Sequence, residues 1–405
     1  MTKARAVLAR NRDFRRLFLA SVVSLTGDWF SFVAVASLVT ELTGRAGAAA
    51  YVYAATVIPV FLASPFAGMI ADKLDRKRTL VIVDLIRVPI ALSLGLAAYW
   101  DSVALAVTAT MLLAVGASFS DPIATAATPN LVAADELASA QALMGAVWGS
   151  MLMVGAGIGG VVAELLGRQA AFAIDAASFL ISAFTIAGIR KPMQLPRGDV
   201  SDDGSIRDAI AFIRRSPTLL RLVFAKVGVS AANGIVGLLP TFAARRFPAS
   251  SIATGLLFAA RGLGAMLGPI LARRVIGDTP ATRAIVIACG ASTLTYSITY
   301  AVFPLSPIFA VAMVLVVIAH LGGGAQWSLS TYGLQREAPD HVRGRVMALD
   351  YGLATLAIGI SAIAAGVLAD LVDESSTTWI LCAVGIIYGV GWLAWSLPAL
   401  RRRRD

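Results

Sequence analysis

A chain of 405 residues with 58% hydrophobic residues, 14% charged residues and a mean hydropathy of +0.78 carries more apolar surface than one aqueous core can hold. That excludes an ordinary soluble enzyme and points to a polytopic membrane protein. The net charge of +10 does not indicate nucleic-acid binding, because it is sorted: of 34 Lys and Arg, 27 fall at the N-terminus, in alternate loops and at the C-terminus, four in the opposite loops and three inside apolar segments. This positive-inside pattern predicts that both termini are cytoplasmic.

The opening stretch, Met1 to Arg16, is cationic and precedes an apolar run too long for a secretory leader and without a small-residue cleavage site. It reads as part of a retained first helix. Apolar runs of about 20 residues predict spans near 17–39, 48–70, 79–99, 103–121, 140–163, 170–189, 219–243, 251–272, 283–303, 306–328, 346–369 and 378–399, twelve in all. The gap after the sixth differs in kind. It is rich in Pro, Gly, Asp and Ser and ends with Ile206, Ala209, Ile210 and Ile213 at helical spacing, which predicts a linker with a short amphipathic helix on the inner leaflet. The expected fold is thus all-α: a six-helix bundle over 1–189, a cytoplasmic linker over 190–218 and a second bundle over 219–405. Cys289 and Cys382 both lie in apolar segments, so neither a disulfide framework nor a Cys-based metal site follows. No cofactor or metal is expected.

The halves echo each other at an offset near 205 residues, with Gly116 against Gly322, Gly160 against Gly366 and Asp28 against Asn233. Because six spans per half is even, the copies share one orientation, which predicts a substrate site near the membrane midplane. Ionisable residues at a helix centre cost about 2.5–3.5 kcal/mol each and need a reason. Asp28, Asp175, Lys226 and Arg261 are the proton-coupling candidates, with Arg261 or Lys226 as counter-charge to Asp28; a permanent structural ion pair is the alternative. Asp84 and Arg87, three apart, can face each other across one helical turn. His320 could titrate or simply pack. Asn233, Trp148, Tyr53 and Trp327 are candidates to line a cavity for a bulky amphipathic substrate, and Tyr51 and Tyr332 join them as rings that could equally anchor at the interface. No Ser/His/Asp, His/Cys or phosphate-loop constellation is present, so enzymatic chemistry is not expected.

The stretch Gly68-Met69-Ile70-Ala71-Asp72-Lys73-Leu74-Asp75-Arg76-Lys77-Arg78 resembles the loop between helices two and three of the major facilitator superfamily. The resemblance implies a gating motif of Gly68, Asp72, Arg76, Lys77 and Arg78. Gly68 would allow close helix approach, Asp72 would cap a neighbouring helix near Gly344-Arg345, and the three basic residues would sit among anionic headgroups. The fifth span, Gly145 to Gly160, is similar to the antiporter motif of exporters in this superfamily, with Gly155, Gly159 and Gly160 as exporter-helix glycines and Ala156 in place of the motif's proline. Asn11 to Phe18, Gly27-Asp28, Asp84 to Arg87, Ala171 to Phe179 and Arg343 to Met347 look like the drug:proton antiporter family 3, although the fourth span lacks the membrane arginine many such antiporters use. That likeness implies proton-driven export of drug-like or siderophore-like molecules by a monomer in a bacterial-type plasma membrane, with substrate, protons and lipid as partners. The rival readings are a lysophospholipid transporter and a transporter-like sensor or assembly protein without transport.

Overall fold

The computed structural model describes residues 3–133, 136–194, 206–247, 251–277 and 280–401, without the side chains of 3–5, 64–73, 138, 141, 142, 206, 208, 340, 341 and 399–401. Among the described residues there are sixteen α-helices and no strand: α1 Lys3–Arg10, α2 Arg12–Thr43, α3 Ala48–Lys73, α4 Arg76–Tyr99, α5 Val103–Leu131, α6 Leu137–Leu165, α7 Arg168–Ala187, α8 Ile206–Arg215, α9 Pro217–Ala225, α10 Val227–Ala232, α11 Gly234–Arg246, α12 Ser251–Ile276, α13 Thr282–Val302, α14 Phe309–Glu337, α15 Asp340–Leu371 and α16 Glu374–Arg401. Eleven segments are long and apolar enough to cross a membrane, α9 to α11 counting as one, and α3 adds the apolar stretch Ala48–Ala63. The chain is therefore a multi-pass membrane protein with the expected twelve spans. Its outward faces are apolar, with Phe184 and Ile387 74% and 72% exposed. Lipid tolerates such faces and water does not.

Local chemistry sets the helix ends. Asp75 accepts a hydrogen bond from the Arg78 amide at 2.8 Å and starts α4. Ser102 does the same for Leu105 at 3.3 Å in α5, and Ser216 for Leu219, with Pro217 at the first helical position of α9. Each side chain satisfies an amide that the first turn leaves open. Gly44, at φ 61°, closes α2 in the left-handed region and returns its N–H to Thr40, the cap for which glycine is suited. The seventh span is interrupted at Lys226 and again at Asn233, giving α9, α10 and α11.

Two compact units emerge. The first comprises Met1–Gly198 with Pro240–Ala259; the second comprises Asp199–Leu239 with Ala260–Asp405. The end of α11 and the start of α12 thus belong with the first unit. Thr241 donates to the Ala46 carbonyl at 2.8 Å, Arg245 to that of Gly44 at 3.1 Å, and the Ser251 amide to Glu164 at 2.9 Å. Gly160 meets α12 so closely that an added Cβ would lie 2.5 Å from the Ser251 carbonyl and 3.0 Å from the Gly255 Cα.

Matching contacts recur inside each unit. A Cβ on Gly116 would strike Arg87, and one on Gly322 would strike the Ser292 carbonyl; Gly155 packs on Trp29, as Ser361 packs on Gly234. Each pair in the second unit lies an offset of about 205 residues from its counterpart, so the repeat is one of packing and not only of letters.

The linker helix α8 turns part of its apolar stripe onto protein. Ala209 and Ile213 are buried, and Ile213 joins the core of Leu219, Leu222, Val342 and Val346 in the second unit. Ile210, on the same stripe, is exposed. α8 thus divides its apolar stripe, with Ala209 and Ile213 set against protein and Ile210 turned outward.

Candidate functional site

In the first unit, charge gathers around Arg87 on α4. Its guanidinium donates to the Asp28 carboxylate of α2 at 2.5 Å, approaches Ser24 at 3.4 Å, and lies 3.9 Å over the Phe179 ring. Arg87 is 2% exposed and the Asp28 side chain 25%. Asp84, Asp121 and Asp175 all feel the charges of Arg87 and Asp28. Asp175 is fully buried; Ser31 donates to its Oδ2 at 2.5 Å, and its Oδ1 has no hydrogen-bond partner. Four carboxylates, from α2, α4, α5 and α7, therefore lie around one buried guanidinium, Asp121 of α5 being the exposed member.

This geometry differs from what spacing suggested. Arg87 closes on Asp28, 59 residues away, while Asp84, the candidate one turn before it, faces Ser182. A guanidinium that dry settles where Coulomb attraction, a hydroxyl and an aromatic face are all within reach, and α2 and α7 together supply all three. Asp28 is paired within its own unit, and so is Lys226.

Beside the charges stands an aromatic cluster. Trp29 meets Phe32, Trp148 and Phe258 at centroid separations of 5.6, 6.3 and 6.1 Å, and Phe32 meets Tyr53 at 6.3 Å and Phe258 at 5.0 Å. Tyr53 is buried, Trp148 is 44% exposed, and the buried Trp29 Nε1 has no hydrogen-bond partner. Gly155 and Gly159 bring α6 against this wall. A Cβ on Gly155 would touch Trp29 Cβ at 3.2 Å, and one on Gly159 would meet Phe30 Cα at 2.9 Å.

At the basic end of the same unit, Arg76 donates to the Ala126 and Met193 carbonyls at 2.8 and 3.2 Å, and Lys77 to that of Ile189 at 2.8 Å. Asn130 joins at Met193, while Asp13 accepts the Arg190 and Lys191 amides at 3.2 and 3.1 Å. The expectation that Arg76 and Lys77 sit among headgroups is corrected: they fasten the Ile189 and Met193 carbonyls after α7, where orphaned acceptors draw cations, and Arg76 also holds that of Ala126 in α5. Arg78 is exposed. Gly68 and Asp72 lie on α3 where side chains fall outside the described residues.

The second unit is built differently. Lys226 forms an ion pair with Asp350 of α15 in which both side chains are nearly fully buried, donates to Thr331 at 2.9 Å and lies 4.8 Å from the Trp327 ring centre. Asn233 donates to Tyr296 at 3.1 Å, and Tyr300 and His320 share a hydrogen bond of 3.0 Å. Tyr296 packs edge-on against both Tyr300 and His320. His320 is thus a buried, hydrogen-bonded ring, as is Asn233's partner Tyr296. Arg261 is buried on α12.

Sequence reasoning did not single out Asp121 or Asp350. Asp121 marked the expected end of a span, yet α5 runs ten residues further; Asp350 sat near the expected start of another. An acidic residue within an otherwise apolar run was the signal in both cases.

A family profile described as transmembrane secretion effector, of the major facilitator type, matches residues 5–402. The chain is 28% identical over 407 residues to the "Multidrug efflux pump Tap" of Mycolicibacterium fortuitum, covering 95% of each chain. It is 23% identical over 215 residues to the "Macrolide efflux protein A" of Streptococcus pyogenes, covering 52% of this chain and 53% of that one. In fold it resembles a solved structure of the nucleoside transporter NupG, with TM-score 0.67, 13% identity and coverage of 95% of this chain and 98% of that one. It also resembles a POT family transporter in complex with 5-aminolevulinic acid, with TM-score 0.74, 11% identity and coverage of 95% and 96%.

Proposed function

Because the chain belongs to the transmembrane secretion effectors of the major facilitator superfamily, we propose that it exports bulky amphipathic, drug-like molecules across a bacterial-type plasma membrane in exchange for protons. Full-length similarity to a multidrug efflux pump supports the direction and the class of cargo. The observation that carries the proton is the set of Asp28, Asp84, Asp121 and Asp175 around Arg87. A group with more acids than bases, set in an apolar bundle, can take up and release protons as access alternates. Asp28 leads it, being the member that is both ion-paired and a quarter exposed. The aromatic wall of Trp29, Phe32, Trp148 and Phe258 supplies stacking surface for cargo without demanding one hydrogen-bond pattern, as suits a broad-specificity pump.

In this reading 1–189 and 219–405 are the two transport bundles, 190–218 links them, and sorted basic residues put both termini in the cytoplasm. Thr241, Arg245 and Ser251 tie the ends of α11 and α12 to Ala46, Gly44 and Glu164 on the outer side, where Gly160 also packs. Arg76 and Lys77 brace the inner side, and Asp72 acts in gating there.

The test is flux in proteoliposomes for a panel of macrolide, tetracycline and dye substrates, with and without an imposed pH gradient. Parent protein should accelerate under the gradient, and Asp28→Asn should bind substrate but lose that acceleration. An Asn variant that responds to the gradient as the parent does would remove Asp28 from coupling; a panel with no flux would remove export.

A further inference from the structure

The buried pair in the second unit has a feature an ordinary structural ion pair lacks. Asp350 is 1% exposed and uses Oδ2 for Lys226, but its Oδ1 has no hydrogen-bond partner. A buried carboxylate normally fills its lone pairs, because an unmet acceptor in a dry site keeps its desolvation cost. Around it stand the parts of a cation site. Thr331 offers a hydroxyl to the Lys226 ammonium, and the Trp327 ring presents its face 4.8 Å away. Tyr351, next to Asp350 in sequence, meets Trp327 edge-on at 6.2 Å. The aromatic members are accessible, Trp327 being 37% and Tyr351 47% exposed, whereas the charged members are not. The rings are accessible, the carboxylate is closed off, and a tethered alkylammonium already occupies it.

From this geometry we infer that Asp350, Trp327 and Tyr351 form a subsite for the protonated amine of a substrate, in which the Lys226 ammonium is the resident cation that the substrate's ammonium displaces. The inference rests on the export reading and names a substrate class for it, amphipathic amines. The incoming group gains the free Asp350 oxygen and the indole face, both of which favour a cation over a neutral isostere. Lys226 competes because one carboxylate in a dry site balances one cation and no more. It retains the Thr331 hydroxyl within reach and leaves on its own flexible arm.

The experiment uses purified full-length protein in detergent. The probe is dansylcadaverine, a primary ammonium on a flexible arm, compared with its N-acetylated, uncharged derivative by fluorescence titration. The parent should bind the charged probe at least about tenfold more tightly than the acetylated one, as a charge-assisted contact plus a cation–π contact implies. Asp350→Asn should bring that ratio close to unity while leaving the acetylated probe's affinity in place. Equal binding of the two probes by the parent overturns the subsite. Should the Asn variant not fold, Lys226→Ala decides alongside the parent ratio. n-Propylammonium should raise its Tm and n-propanol should not, and equal effects of the two overturn the proposal. Binding needs neither a gradient nor flux, so the two readings fail separately. A panel that is transported while the parent shows no charge preference removes the subsite alone, and a charge preference in a protein that moves nothing removes export alone.

Discussion

The two units repeat one helical plan but hold opposite electrostatic designs. In the first, a cation on α4 lies among four acids from four helices and its nearest partner, Asp28, is a quarter exposed. In the second, Lys226 at the α9–α10 break meets one acid, Asp350, and the two are sealed. The repeat does not relate these charges: Asp28 corresponds to Asn233, which hydrogen-bonds Tyr296, and Arg87 corresponds to Ser292, against which Gly322 packs. Packing positions therefore match between the halves while charged positions do not. A scaffold held together by small-residue contacts leaves its polar sites free to diverge, because those contacts do not depend on them.

If the second unit's pair is balanced one to one, breaking it should have the largest effect of any single change here. Lys226→Met leaves Asp350 buried without a counter-charge and should cost about 3–5 kcal/mol, most of which returns in Lys226→Met combined with Asp350→Leu, since a well-packed apolar pair can replace a buried ion pair. Thermal unfolding in detergent measures both. A single variant as stable as the parent would mean that the pair is not sealed, and the contrast with the first unit would lapse.

A second contrast lies at the crossing of the first and fifth spans of each half. Gly155 faces Trp29 in the first unit, and Ser361 faces Gly234 in the second. The small residue has changed sides, and Ser361 uses its hydroxyl to accept from the Gly234 amide at 2.9 Å and to donate to Ala231 at 2.6 Å. Writing the second unit's residue into the first, as Gly155→Ser, places a Cβ 3.2 Å from both the Thr26 carbonyl and Trp29 Cβ. Overpacking of this kind costs about 1–3 kcal/mol. The loss should appear in Tm. A Gly155→Ser protein with parental Tm would show that α6 can move off α2 freely.

Legibility followed the range of the interaction. Span number rests on local apolar runs, and the repeat on glycine spacing, and both were readable because each residue acts within its own helix or at a fixed offset. The partners of the buried charges were not. Spacing proposed Asp84 for Arg87, since i,i+3 neighbours share a helix face, but the partner comes from a helix 59 residues distant. Lys226 could be flagged from its apolar surroundings, yet Asp350 is 124 residues away. Which helix faces which is a tertiary fact. Arg76 and Lys77 show the same limit at the membrane edge: their charge could be read, and the carbonyls of Ile189 and Met193 that they hold could not.

The smallest expected effect sits at the start of the sixth span of each half. The first unit begins α7 from Gly167, at φ 85° and with no side-chain cap. At the corresponding place before α16 the second unit has Asp373, whose Oδ1 accepts the Ser375 and Ser376 amides at 2.7 and 2.8 Å and whose Oδ2 accepts the Ser376 hydroxyl at 2.6 Å. Asp373→Gly gives the second unit the first unit's residue and should cost only a few tenths of a kcal/mol, because glycine is itself an acceptable cap. Its pH dependence is the sharper readout. The hydrogen bonds from Ser376, aided by the Ser375 amide, hold the Asp373 carboxyl below its ordinary value of 3.8. Its contribution is thus present at neutral pH and is lost as the pH falls through the lowered value. The difference in Tm between parent and Asp373→Gly should therefore hold steady above 3.8 and shrink below it. A difference that stays constant on acidification would mean that the two halves start these helices alike, without help from the charge.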